Sequence, residues 1–71
     1  MNKFEIIIAS LPNKERLVAE IYYDNMYWVQ ISQETDELVI QFYPHPRQTY
    51  WEFSLDEALE ILNRAKSKLL Q

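Results

Sequence analysis

The sequence predicts an α+β fold: an antiparallel meander sheet of four to five strands with one C-terminal helix packed on one face. Short runs of alternating apolar and polar residues, separated by turn formers, predict the strands. Apolar residues that recur at helical spacing near the end of the chain predict the helix. Open antiparallel sheets commonly bury one face and leave the other in water. We therefore expect an open sheet face and look for function there.

The first two predicted strands cover residues 3–9 and 16–23. The first is rich in isoleucine, which suits a pleated surface. Pro12 and Asn13 in the intervening segment are turn formers and predict a loop. The inward set of the second strand is predicted to be Leu17, Ala19, Ile21 and Tyr23, and its open-face set to be Val18, Glu20 and Tyr22.

Asp24 and Asn25 indicate a hairpin between the second and third strands. A two-residue loop would pair Ile21 with Trp28 and mix the inward and outward sets. A three-residue loop over residues 23–25, with Asn25 left-handed, keeps the sets apart and is the prediction. Its register pairs Ile21 with Tyr27, Ala19 with Val29 and Leu17 with Ile31. Trp28 is then expected on the open face.

The third and fourth predicted strands cover residues 27–33 and 37–43. Pro44 and Pro46 end the fourth strand because proline cannot donate a ladder hydrogen bond. A short fifth strand is predicted over residues 49–53. The inward residues of the third, fourth and fifth strands are expected to be Tyr27, Val29, Ile31, Leu38, Ile40, Phe42, Trp51 and Phe53.

The helix is predicted from residue 55 to about residue 70. Ser54 is the expected N-cap, and Glu57 three residues later completes a capping box. Acidic residues early and basic residues late suit the helix dipole. The predicted apolar stripe consists of Leu55, Ala58, Leu62, Ala65 and Leu69, widened by Leu59 and Ile61.

Length and composition indicate a single domain over residues 1–71. The chain has no cysteine, which excludes disulfides, thiolate zinc sites and a thiol nucleophile. The N-terminal apolar run at residues 6–9 is too short for a signal peptide core or a membrane span. These features fit a reducing compartment, and the expected location is cytoplasmic.

The net charge of −4 argues against direct binding to nucleic acid, which needs clustered Lys and Arg, and against anionic membranes. It favours a basic protein partner through electrostatic complementarity. The alternative is that this charge only keeps a small protein soluble. The chain also has no glycine, which excludes glycine-rich phosphate loops and a calcium loop of the EF-hand type.

His45, the single histidine, lies between Pro44 and Pro46. Its sequence neighbourhood supplies neither an orienting partner for acid–base catalysis nor a set of further metal ligands. We therefore expect no enzymatic activity, no catalytic residue, no metal and no cofactor. His45 is interpreted as an exposed loop residue that touches a partner.

The candidate partner-binding residues lie on the expected open face and in the loops beside it. They are Glu20, Tyr22, Trp28, Gln30, Glu34, Asp36, Gln41, Tyr43, His45, Tyr50 and Glu52. Tyrosine and tryptophan supply rigid contact area at binding hot spots. Two alternatives stay open for the aromatics: cross-strand pairs that strengthen the sheet, and a homodimer through this face. For the acidic turn residues, the alternative is a solvated loop.

Most of the chain resembles a family of small bacterial proteins. The residues that carry the resemblance are 18–21, 28–34, 38–46, 51–59 and 65–69. Their overall pattern is similar to that of the immunity proteins of contact-dependent growth inhibition and related polymorphic toxin systems. The resemblance is to this pattern and rests on no single diagnostic motif.

The resemblance implies an immunity protein that binds a cognate bacterial toxin domain and blocks its active site or its substrate access. The implied toxin is a nuclease with a basic cleft, which an acidic and aromatic surface would complement. The resemblance assigns no contact residue, so the candidates above come from the sequence pattern. Two other functions stay open: a homodimeric structural or regulatory module, and an acidic inhibitor that mimics nucleic acid.

Overall fold

A computed structural model describes residues 3–71. The four strands are β1 (Phe4–Ala9), β2 (Val18–Tyr23), β3 (Met26–Ser32) and β4 (Val39–Phe42). They form one antiparallel sheet in the order β1-β2-β3-β4, and the helix α1 (Leu55–Leu69) follows. The predicted fold class is confirmed. The strand order, which the sequence pattern left open, is that of a simple meander.

The β2–β3 hairpin has a two-residue loop, so the predicted three-residue loop is wrong. Tyr23 pairs with Met26, and both Asp24 (φ 52°) and Asn25 (φ 67°) are left-handed. Two successive left-handed residues are the hallmark of the type I′ turn, whose twist matches that of the flanking strands. The left-handed conformation predicted for Asn25 is confirmed.

A β-bulge at Trp28 reconciles this short loop with the apolar pattern. Tyr22 pairs with Tyr27, whereas Ile21 pairs with Val29, so Trp28 is an extra residue in β3. Trp28 and Val29 are both buried on the helix side, although they are consecutive. The predicted placement of Trp28 on the open face is therefore wrong, and so is the inward placement of Tyr27.

The start of β2 also differs from the prediction. Leu17, expected to face inward opposite Ile31, lies before the strand and is 47% exposed. Val18, expected on the open face, is fully buried but does not belong to the main core cluster. Ala19 pairs with Ile31 instead, two residues further along the chain than the predicted partner Leu17.

No fifth strand is present among residues 3–71, because residues 49–54 are irregular. Trp51 and Phe53 nevertheless pack against the core, as predicted. The Trp51 indole N–H donates to the Tyr43 carbonyl at 2.7 Å, which ties this segment to the end of β4. Side-chain contacts, rather than strand pairing, therefore hold in place the segment that leads into the helix.

Helix α1 begins as predicted, with the Ser54 hydroxyl accepting a hydrogen bond from the Glu57 N–H at 3.4 Å. It packs mainly over β1 and β2. Its buried residues are Ile61, Ala65 and Leu69. Leu55 and Leu59, predicted in the core stripe, are 72% and 49% exposed. The β4 side of the sheet is thus only partly covered.

A candidate protein-binding surface on the open sheet face

The face opposite the helix is defined by cross-strand pairs, because directly opposed residues share a face. Glu20 pairs with Gln30, which pairs with Gln41, and Tyr22 pairs with Tyr27. We call Glu20, Tyr22, Tyr27, Gln30 and Tyr43 the tyrosine face. The two-residue turn places Tyr27 in this group opposite Tyr22, and the bulge brings Gln30 onto the same face. The sequence pattern had already assigned the other two tyrosines to it.

Three tyrosine rings form a continuous stack across the ends of β2, β3 and β4. The ring centroids of Tyr22 and Tyr27 are 4.9 Å apart, with 14° between the ring planes. Those of Tyr27 and Tyr43 are 4.4 Å apart, with 29° between the planes. Each ring therefore packs against its neighbour, and all three side chains are only half-buried. The stack is a rigid aromatic platform open on one side.

A hydrogen-bond network fixes the hydroxyl groups of the stack. The Glu20 carboxylate accepts from the Tyr22 hydroxyl at 3.4 Å and from the Tyr27 hydroxyl at 3.3 Å. The buried Gln30 amide donates to the Tyr27 hydroxyl at 3.0 Å and to the Tyr43 hydroxyl at 3.4 Å. Side chains held in this way lose little entropy when they bind a partner, which is how aromatic anchors contribute affinity.

Burial and neighbouring charge raise the pKa of two tyrosines of the stack, Tyr22 and Tyr27. Burial is the main cause that raises the pKa of Tyr27, with smaller contributions from Tyr43 and Glu20. Burial, and then the charge of Glu20, also raise the pKa of Tyr22. Both groups therefore act as neutral hydroxyls at physiological pH. Glu20 supplies negative charge at the centre of the surface.

Glu5 extends this surface on β1. It pairs with Tyr22 across β1 and β2, and Glu20 lies two residues from Tyr22 along β2, so both carboxylates neighbour Tyr22 on one sheet face. Its negative charge also helps to raise the pKa of Tyr22. Sequence reasoning missed Glu5 as a site residue because it left the pairing of the first strand open.

The predicted acidic residues of the loop before β4 have different environments. The Glu34 carboxylate accepts hydrogen bonds from the backbone N–H groups of Glu15 and Arg16, each at 3.0 Å. These two bonds lower the pKa of Glu34. Glu34 thus fastens the β1–β2 loop to the loop before β4. Asp36 is exposed, with no ion pair within residues 3–71.

His45 organises its own loop. Its Nδ1 atom accepts from the backbone N–H groups of Arg47 at 3.0 Å and Gln48 at 3.1 Å. Its ring lies 4.4 Å from that of Trp51. His45 is half-buried, so the expectation of an exposed loop residue is wrong. A structural role explains each of these contacts.

The other predicted site residues lie outside the tyrosine stack. Gln41 is exposed on the open face, next to Gln30. Tyr50 and Glu52 are exposed, but residues 49–54 form no strand that would carry them onto that face. Trp28 is 5% exposed in the core. The open face therefore presents the tyrosine face, with Glu5 and Gln41 beside it.

Within residues 3–71, no group of three or more potential ligand side chains is placed to hold a metal ion. No helix in the same range has the length and apolar character needed to cross a membrane. No family model, curated protein or solved structure matches this chain significantly.

Proposed function

We propose that this chain is a non-enzymatic immunity protein that acts in the cytoplasm, where it binds and neutralises a bacterial toxin domain through the tyrosine face. The observation that carries the proposal is the stack of Tyr22, Tyr27 and Tyr43, whose hydroxyl groups are held by Glu20 and Gln30. This arrangement combines rigid aromatic area with fixed polar groups, the chemistry of an interaction hot spot. The sequence resemblance to immunity proteins supplies the class of partner.

Charge favours a basic partner surface. The acidic residues within the four strands are Glu5 and Glu20, both on the open face and both neighbours of Tyr22. The chain as a whole carries a net charge of −4. A nuclease toxin binds its substrate through a cleft rich in Lys and Arg, which these carboxylates would complement. Binding there would block the active site or the approach of the substrate.

A co-expression experiment tests the proposal. The C-terminal domain of the protein encoded beside this gene is expressed in bacteria with and without this chain. Growth arrest that this chain relieves, together with co-purification of the two proteins, is the expected result. A toxic domain that is neither bound nor relieved would overturn the proposal.

Matched variants then test the surface. Tyr43→Ala removes one end of the stack and should weaken toxin binding by about tenfold or more, as expected of a hot-spot side chain. Glu20→Gln keeps a hydrogen-bond acceptor but removes the charge, so it should slow association with a basic partner at low salt. Glu57→Ala, exposed on the helix, is the control and should bind like the parent chain.

The two other functions make different predictions. A homodimer through the tyrosine face would be dissociated by Tyr43→Ala without any toxin present. A nucleic-acid mimic would need several carboxylates in a row, and it would lose affinity steeply with salt. Isothermal titration at two salt concentrations distinguishes such a mimic from a surface that depends on aromatic anchors.

A further inference from the structure

Strand β4 is an edge strand, so its backbone groups on one side have no partner strand within residues 3–71. It pairs with β3 alone and forms an edge of the sheet. Its exposed apolar side chains lie on both faces: Val39 (49% exposed) opposite the helix, and Ile40 (39%) and Phe42 (62%) on the helix side. Proteins commonly guard such an edge with a charge or a proline within the strand. Residues 39–42 contain neither.

The direction of the free backbone groups follows from the β3–β4 ladder. The Tyr43 N–H donates to the Trp28 carbonyl at 2.9 Å. Since hydrogen-bonded and non-hydrogen-bonded pairs alternate in an antiparallel ladder, Gln41 also points its backbone groups towards β3. Ile40 and Phe42 therefore direct their N–H and C=O groups away from the sheet, towards the place of a further strand.

We propose that a second copy of this chain occupies this place, with its own β4 antiparallel to the first around a twofold axis at Ile40. In this register Ile40 lies opposite its counterpart, and Leu38 lies opposite Phe42 of the second copy. Apolar side chains then meet on the helix side of the joined sheet. The free backbone groups of Ile40 and Phe42 are satisfied at the same time.

Pro44 selects this register. If the axis lay at Gln41 instead, Pro44 would oppose Leu38 of the other copy at a position that needs a backbone donor. Proline has no N–H, so that register loses a hydrogen bond. With the axis at Ile40, Pro44 falls beyond the paired segment, opposite Asp36.

Charge complementarity favours a second copy over an unrelated strand. Acidic Asp36 and Glu37 precede β4, whereas Arg47 follows it. Antiparallel pairing brings the Arg47 loop of each copy beside the acidic loop of the other, at both ends of the paired strands. Within residues 3–71, the structure shows no ion pair that already engages these three side chains. All three are exposed.

This dimer differs from one formed through the tyrosine face. A twofold axis perpendicular to the sheet leaves both tyrosine faces on the same side of the joined sheet. The dimer therefore presents two copies of the proposed binding surface and buries neither of them in its interface. The inference holds whether or not the partner is a toxin.

Sedimentation equilibrium of the full chain over a range of micromolar concentrations tests the inference. The expected mass is twice that of the 8.6 kDa chain. Ile40→Lys places a charge at the unpaired edge and should return the mass to that of one chain. Ile7→Lys, on the opposite edge strand and 38% exposed, is the matched control and should leave the dimer intact. Circular dichroism checks that both variants are folded.

A charge exchange tests the register. Arg47→Glu should weaken the dimer at least several-fold, and adding Glu37→Arg should restore it. A chain that stays monomeric throughout the concentration range would overturn the inference. So would a dimer that survives Ile40→Lys, or one that is lost with Ile7→Lys or Tyr43→Ala instead. Toxin neutralisation has a separate readout, so either proposal can fail alone.

Discussion

Tyr22 and Tyr27 lie directly opposite each other across the β2–β3 hairpin, with ring centroids 4.9 Å apart and an angle of 14° between the rings. Both hydroxyls donate to the Glu20 carboxylate. The two-residue turn sets this pairing, and the bulge at Trp28 shifts the register by one residue just beyond it, which brings Gln30 onto the same face. The turn and the bulge together therefore create the candidate binding surface, and they leave Trp28 and Val29 both buried on the opposite face.

The ionisation of Tyr27 gives a direct test of the network. Its pKa in the folded protein is raised above the unfolded value of about 10. The proton is thus held more tightly in the folded state, and the contribution to stability is complete below about pH 10 and lost as the pH rises through the folded pKa. We expect the free energy of unfolding to fall in this alkaline range, with a shallower fall for Tyr27→Phe. Urea denaturation at several pH values measures both slopes, and equal slopes would contradict the assignment.

The position of Trp28 predicts a stability effect rather than a direct binding effect. Trp28 is 5% exposed and packs against the rings of Phe4 and Phe53. Trp28→Ala should lower the free energy of unfolding by about 3–5 kcal/mol, because it leaves a large cavity. Tyr43→Ala, in the half-exposed stack, is the control and should lower the free energy of unfolding by a smaller amount. Denaturant midpoints measure the difference, and a Trp28→Ala protein as stable as the parent would show that the side chain is not in the core.

The type I′ turn predicts that glycine is better than asparagine at residue 25. Asn25 has a φ of 67°, a conformation that glycine adopts without strain. Asn25→Gly should stabilise the protein by up to about 1 kcal/mol, since Asn-Gly and Asp-Gly are preferred in these turns. Asn13→Gly is the matched control, because Asn13 is not among the residues with a positive φ, so glycine relieves no backbone strain there. A loss of thermal stability in Asn25→Gly would mean that the turn has another geometry.

The sequence was sufficient for the fold class, the four observed strands and the helix, because these follow from local patterns, whereas the predicted fifth strand is absent from residues 49–54. Ser54 and Glu57 mark the helix start where it is observed, and Pro44 marks the end of β4. The alternation of apolar residues also assigns Ile21 correctly to the core. These features depend on propensities and caps that act over a few residues.

The composition of the candidate binding surface could not be predicted in the same way. A bulge inserts one residue, so the faces of Trp28 and Tyr27 depend on a non-local pairing rather than on the alternation within β3. The signal that could have found it is the Asp24-Asn25 dipeptide, which suits a two-residue loop. Such a loop needs a bulge to keep Ile21 and Val29 on one face. His45 likewise gave no sequence signal for its backbone hydrogen bonds to Arg47 and Gln48.

Glu34 predicts an acid-sensitive link between two loops. Its carboxylate accepts from the backbone N–H groups of Glu15 and Arg16, which lower its pKa. The stabilising effect is therefore present above the unfolded pKa of about 4.3 and is lost as the pH falls through the folded value. In an NMR titration, the amide protons of Glu15 and Arg16 should move together with the Glu34 carboxyl carbon. Glu34→Gln should remove this acid-dependent movement, whereas Asp36→Asn should leave it unchanged. If the amides of Glu15 and Arg16 titrated in Glu34→Gln as they do in the parent chain, another carboxylate would be their partner.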